Sequence, residues 1–196
     1  LWGHLHERQG NTGKALEHYL SVLQDLPRDP WVHLRTGILE EQQGQQEQAL
    51  LHYKTASEAY PDSFRILFRR SIVTMNLLQE EESIRIHQKM IELRPEPALR
   101  LNNLAWMYLT AKDRSLRQPE KALELALKSV EWEATIDHID TLAEAYFQTG
   151  QTGKAIETLR KGIREAFYPK SRERYLEGQY RRFRKGDTSV SPPPVS

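Results

Sequence analysis

The side chains best suited to chemistry in this sequence are few, and their spacing works against it. His4 and His6 stand two residues apart, which on a helix turns them to different sides, whereas histidines sharing an ion on one helix face stand four apart. Asp137, His138 and Asp140 could move protons. No nucleophile motif, glycine-rich phosphate loop or metal-ligand spacing accompanies them, and they read instead as a helix start whose aspartates cap free N–H groups. Arginines at 172, 174, 181, 182 and 184 could contact phosphates, but Glu173 and Glu177 interrupt the run and no base-stacking motif stands beside it. The run reads as the solvated face of a terminal helix. Cysteine is absent, which removes disulfides, thiolate nucleophiles and thiolate metal sites and fits a reducing or an oxidising compartment equally. The sequence therefore predicts no catalytic residue, no metal and no cofactor, and a protein that is not an enzyme.

Composition narrows the partners. Lys and Arg number 28 against 27 Asp and Glu, and a net charge of +1 provides no global field to gather nucleic acid or an anionic membrane. No apolar run approaches the roughly 18 residues that span a bilayer, so no membrane insertion is expected of residues 1–196. A soluble chain follows, in a cytoplasm or a bacterial periplasm, with the compartment left open. Leu1 is not an initiator methionine, and Trp2 and Gly3 fall mid-helix by the register below. A fragment is expected, to which further repeats, an anchor or a catalytic domain would be joined.

The elements that must position any site come from a repeat. In residues 30–63, Trp31, Leu34 and Ile38 recur at offsets of three and four, as do Ala49, Tyr53 and Ala56, with Gly44 between the halves and Pro61 after them. This predicts two short amphipathic helices that cannot bury both apolar stripes alone and need neighbours. A shift of 34 residues superimposes Gly3 on Gly37, Glu7 on Glu41, Gly10 on Gly44, Ala15 on Ala49, His18 on His52, Tyr19 on Tyr53 and Pro27 on Pro61. A further step carries Pro61 to Pro95, Gly37 to Ser71 and Ala49 to Ser83. Leu78 and Gln79 replace the turn glycine there, so that turn is expected to change conformation or to be strained if it needs positive φ. Ala105 and Ala122 continue the register with five residues inserted in the loop Lys112–Gln118, and Pro119 restarts a helix. Residues 136–168 return to pattern, and a capping helix with Tyr175, Leu176, Tyr180 and Phe183 precedes the tail DTSVSPPPVS, which is too polar and proline-rich to fold alone. The resulting segments are 1–29 (a partial repeat), 30–63, 64–97, 98–135 with the insertion, 136–168, the cap at 169–185 and the tail at 186–196.

A 34-residue helix-turn-helix unit with small residues at fixed places and a closing proline resembles the tetratricopeptide repeat family, over roughly residues 1–168. LNNLAW followed by PEKALELALKSVE is similar to many bacterial members. The resemblance implies an all-α, right-handed α-α superhelix, a solenoid of about five units plus a capping helix. It also implies a concave groove, lined by the first helix of each unit, that binds protein or peptide partners. Carried over unit by unit, the groove positions are Trp31, Leu34, Ile38 and Gln42; Arg65, Phe68, Ile72, Met75 and Asn76; Leu99, Asn102, Trp106, Leu109 and Thr110; and Asp137, Asp140, Glu144, Phe147 and Gln148. The middle of such a groove is apolar and aromatic and its far end acidic, a composition that suits an extended peptide or amphipathic helix. The competing reading packs Phe68, Ile72 and Leu109 against neighbouring helices. One subset of the family clamps a C-terminal carboxylate. Arg65 and Arg69 match its last pair, but His4 and Arg35 stand where asparagines are needed, so that clamp is not expected. The other readings of the chain are self-association, including a Pro192–Pro194 tail lodged in a neighbour's groove, and the regulatory arm of a larger enzyme or membrane complex.

Overall fold

The computed structural model describes residues 2–94, 98–165 and 170–190, and among these every regular element is helical. The chain divides into two compact units, Leu1–Leu93 and Arg94–Ser196. In the first, α1 (Trp2–Arg8) pairs with α2 (Thr12–Asp25), α3 (Pro30–Gln42) with α4 (Gln46–Ala59), and α5 (Phe64–Asn76) with α6 (Glu80–Leu93). Each helix packs on the next in the chain, and α3 also touches α5. The second unit holds α7 (Ala98–Thr110), α8 (Pro119–Trp132), α9 (Ile136–Gln148), α10 (Thr152–Glu165) and α11 (Glu173–Lys185), again stacked in chain order, with α7 touching α9. Both are stacks of antiparallel hairpins, the all-α solenoid class.

Steric fit between the two helices of a hairpin sets the spacing. Ala15, Ala49, Ala105, Ala122, Ala143 and Ala155 are all fully buried, where anything larger would push the axes apart. A Cβ on Gly37 would lie 2.7 Å from Cε1 of Tyr53, and one on Gly3 2.8 Å from Cε1 of Tyr19, so each glycine seats a tyrosine ring. Helix starts are set locally. Asp29 accepts from Val32 N–H at 2.9 Å with Pro30 in the first turn, and the inserted loop carries a 3-10 turn at Arg114–Leu116 held by Asp113.

The hairpin turns share one geometry, including the one without glycine. Gly10, Gly44 and Gly150 have φ of 77°, 78° and 77°, and Leu78 has φ of 55°. In each, the next residue donates to the carbonyl five back, with Gln79 N to Thr74 O at 2.9 Å matching Gln45 N to Glu40 O at 2.9 Å. The turn therefore keeps its conformation and takes the strain, because the hydrogen bonds at the helix end outweigh the roughly 1–2 kcal/mol cost of a left-handed leucine. Leu78 is 66% exposed, so little packing is lost on its removal. Leu78→Gly is expected to stabilise the first unit by about 1 kcal/mol in urea denaturation, after the entropy cost of glycine in the unfolded chain; a destabilised variant would show that the turn carries no strain.

Candidate functional site

The first helices of the first unit are joined by a repeated polar relay. Tyr19 donates to Glu7 at 2.9 Å, and Arg35, on the next hairpin, donates to the same carboxylate through Nε at 3.1 Å and through Nη2. One hairpin further, Tyr53 donates to Glu41 at 2.6 Å and Arg69 to Glu41 at 3.3 Å. Burial and the Glu41 carboxylate hold the Tyr53 hydroxyl protonated well above the ordinary tyrosine range. The same register offers Met75 and His87 next, and there His87 turns to the Ser83 carbonyl at 2.9 Å. Arg35 and Arg69 thus tie successive hairpins together through carboxylates of the chain itself.

The sequence-derived groove residues separate into covered and open sets. Leu34 and Ile38 are buried in a cluster with Ala49, Tyr53, Ile66 and Val73, and Asn102 and Leu109 are buried in α7. These four present almost no surface to a ligand. Ile72 and Trp106 are partly buried, and Arg65 is exposed. Trp31, Phe68, Met75 and Leu99 remain 50%, 48%, 43% and 55% exposed. In the first unit this leaves an open aromatic row. Trp31 meets Tyr19 edge-on at 5.7 Å, and Phe64 stacks on Phe68 at 6.5 Å.

A second feature of this unit escapes sequence reasoning, because its members are ordinary surface residue types. His33 Nε2 lies 3.0 Å from the Pro27 carbonyl, His33 Nδ1 2.7 Å from His52 Nδ1, and His52 Nε2 3.5 Å from Glu40 Oε1. A carbonyl can only accept, so His33 Nε2 carries a hydrogen, its Nδ1 accepts from His52, and the His52 Nε2 lone pair is left facing Glu40. A protonated Glu40 satisfies that lone pair. Burial moves both groups the same way in charge: Glu40 is pushed up from 4.5 to about 7, and His52, buried beside His33, is pushed down to about 4. A carboxyl raised in the folded state contributes stability that is complete below its unfolded value of 4.5 and is lost as pH rises through about 7. Glutamine keeps a donor and has nothing to ionise. The melting temperature of Glu40→Gln relative to the parent is therefore expected to climb between pH 5 and pH 8, and a difference independent of pH would show that Glu40 is ionised throughout.

In the second unit the acidic end of the expected groove is covered. Arg172 pairs with Asp137, Tyr175 donates to Asp140 at 2.8 Å, Arg182 pairs with Glu144, and Phe183 stacks on Phe147 at 4.7 Å. Asp140 and Glu144 are buried, and burial pushes Asp140 up to about 7. The capping aspartates of the sequence reading are corrected by this geometry: α9 is capped by the Thr135 hydroxyl, which accepts from His138 N–H, while both aspartates face the terminal helix. The arginine run is not one solvated face either, since Arg172 and Arg182 are buried. Their acid partners lie 35 and 38 residues away, a pairing no local pattern displays. Near the start of the chain, His6 stacks on His18 at 5.2 Å, and among the described residues no group of three or more His, Cys, Asp or Glu could hold a metal ion. No helix there is long and apolar enough to cross a membrane. The Pro192–Pro194 tail lies outside the described residues.

Stacked hairpins closed by a glycine–tyrosine contact define a helical-repeat scaffold. Two family profiles described as tetratricopeptide repeat match residues 32–63 and 140–167, and the chain is accordingly a domain of the tetratricopeptide repeat family. A crystal structure of MamA protein superposes with a TM-score of 0.66 at 17% identity, covering 97% of this chain and 94% of that one. MamA from residue 41 onward of Desulfovibrio magneticus RS-1 gives 0.65 at 18% identity over 83% and 89%. A thermophilic tetratricopeptide repeat protein of Thermus thermophilus, TTC0263, gives 0.53 at 17% identity over 94% and 96%. At these identities the likeness is one of fold. No curated protein matches the chain.

Proposed function

We propose that this chain is a non-enzymatic interaction scaffold whose first helices dock a peptide or helix of a partner protein, with the open row of the first unit as the principal contact. The observation that carries this reading is the exposure of Trp31, Phe68 and Met75 on helices whose other apolar side chains are buried or partly buried. Trp31 and Phe68 keep about half their surface in water, which a folded chain tolerates at little gain unless another surface covers them. Large aromatics of this kind dominate binding energy where they are desolvated by a partner. The family supports protein partners as a class, and the polar relay links α1 to α3 and α3 to α5.

Affinity near micromolar, about −8 kcal/mol, is the scale for one such groove. The test is titration calorimetry with peptides selected on the purified chain, comparing it with Trp31→Ala and Phe68→Ala. Both positions are solvent-facing, so the variants should fold and lose binding by at least about tenfold each. Unchanged affinity in both, with circular dichroism intact, would remove the row from the binding surface.

A further inference from the structure

A cleft of about 370 Å³ opens between α4, α5 and α6 in the first unit, and its charge is one-sided. Among the described residues that line it, Lys54, Arg70, Arg85 and Lys89 stand against one carboxylate, Glu82. Pro61, Leu67 and Ile86 give it an apolar wall, and Trp31, Phe68 and Met75 of the open row are not part of it. Glu82 is shared. Lys54 Nζ lies 2.9 Å from one of its oxygens and Arg70 Nη2 2.7 Å from the other. Burial raises its proton affinity, but the bonds from Arg70 and Lys54 outweigh burial and hold the carboxyl below the ordinary glutamate range. Lys89 and Arg85 pair with Asp62 and Glu81, which are 68% and 63% exposed, and such surface pairs are weak enough to be exchanged for a ligand. Arg70 Nε is buried and has no hydrogen-bond partner among the described residues. The fold does not require these cations. One repeat earlier the same places hold Leu20, Thr36, Leu51 and Thr55, with Gln48 for Glu82, and α2, α3 and α4 stack there all the same.

We propose that this cleft binds a small phosphorylated molecule, with its phosphate among Lys54, Arg85 and Lys89 and its organic body on Leu67 and Ile86. A phosphomonoester brings about two negative charges at neutral pH and three strong acceptor oxygens, which suits several cations converging on one space better than the single charge of a carboxylate. Arginine and lysine are the donors for such a group. Glu82 does not bar the anion, because it is outnumbered and its bonds fix the direction of Lys54 and Arg70. On α6, Glu82, Arg85, Ile86 and Lys89 fall at offsets of three, four and seven, so one helix face carries both the charge and part of the apolar wall. A cleft of this volume with an apolar wall and a few charged groups has the dimensions of a small-molecule site. It is separate from the docking row, and neither depends on the other.

The probes are phenyl phosphate, inorganic phosphate and benzoate, each titrated into the isotope-labelled full chain near neutral pH and followed by amide chemical shifts. Phenyl phosphate should shift amides of α4, α5 and α6 and saturate with a Kd below about 1 mM. Inorganic phosphate, which lacks the organic body, should bind at least about fivefold more weakly, and benzoate, which lacks the second charge, at least about tenfold more weakly. Arg85→Glu and Lys89→Glu, both of which reach solvent, should fold and each weaken phenyl phosphate by at least about tenfold, and Arg85→Lys by less. Equal affinity for phenyl phosphate and inorganic phosphate overturns the organic ligand and leaves a site for free phosphate. Benzoate bound as tightly as phenyl phosphate overturns the phosphate. Binding that survives both charge reversals, or no saturable shift in α4, α5 and α6 with any probe, overturns the site.

Discussion

Arg182→Ala is expected to destabilise the second unit by about 3–5 kcal/mol, the cost of leaving a buried charge without its partner. The Arg182 and Glu144 side chains are 8% and 0% exposed. The guanidinium donates to Glu144, to Gln179 Oε1 at 2.7 Å and to the Ser189 carbonyl at 2.6 Å, and its carbon lies 4.7 Å from the Phe183 ring centroid and 5.2 Å from that of Phe147. After truncation Glu144 retains Gln148 Nε2 at 2.7 Å, one amide for a carboxylate deprived of water. The double change Arg182→Met with Glu144→Leu separates charge from packing: an apolar pair of similar volume should recover most of the loss, because an ion pair that has overcome its own desolvation adds little net stability. Urea denaturation supplies the magnitude, and hydrogen exchange in α9 and α11 locates it. A cost below about 1 kcal/mol for the single change would mean that water reaches Glu144 and that α11 is a loosely held cap.

The two buried arginines of the terminal helix, Arg172 at its start and Arg182 within it, mark the limit of what the sequence carries. The repeat is legible because its determinants are steric and local: a glycine, alanine or serine recurs, every 34 residues until the inserted loop, where a second helix must approach, and larger residues are excluded there. The all-helical stack of hairpins follows from that spacing. Exposure is a different matter. Leu34 and Phe68 occupy the same register position, yet Leu34 is covered in a cluster that includes Ile66 and Val73 of α5 while Phe68 is half open, and no pattern within residues 30–42 announces the cover. The turn at Leu78 shows the same division. Its lack of glycine is visible in the sequence, but the outcome was decided by the bond from Gln79 to Thr74. Pairings such as Arg182 with Glu144 depend on which helix ends beside which, and charge patterning along a single helix is silent about that.

Tyr53→Ala should be comparably severe, costing about 3–5 kcal/mol in the first unit, because a fully buried aromatic ring is deleted from a close-packed site. The ring fills the place left by Gly37, packs against Leu34 and Ile38 in the same cluster, and ends in the hydroxyl that donates to Glu41. Two further variants divide the effect. Tyr53→Phe keeps the ring and removes the donor, and since Arg69 still faces Glu41 the loss should be near 1 kcal/mol. Gly37→Ala brings a methyl to 2.7 Å from the ring and should cost about 1–3 kcal/mol when Tyr53 is present. In the Tyr53→Ala background the same methyl enters empty space, and its cost should fall sharply or change sign. That dependence is the measurable signature of a helix crossing set by one ring on one glycine, and a Gly37→Ala cost equal in both backgrounds would assign the 34-residue spacing to some other contact. The relay ties the proposed docking row to this crossing: if Tyr53 is lost, Glu41 of α3 keeps Arg69 of α5 but loses its bond to α4.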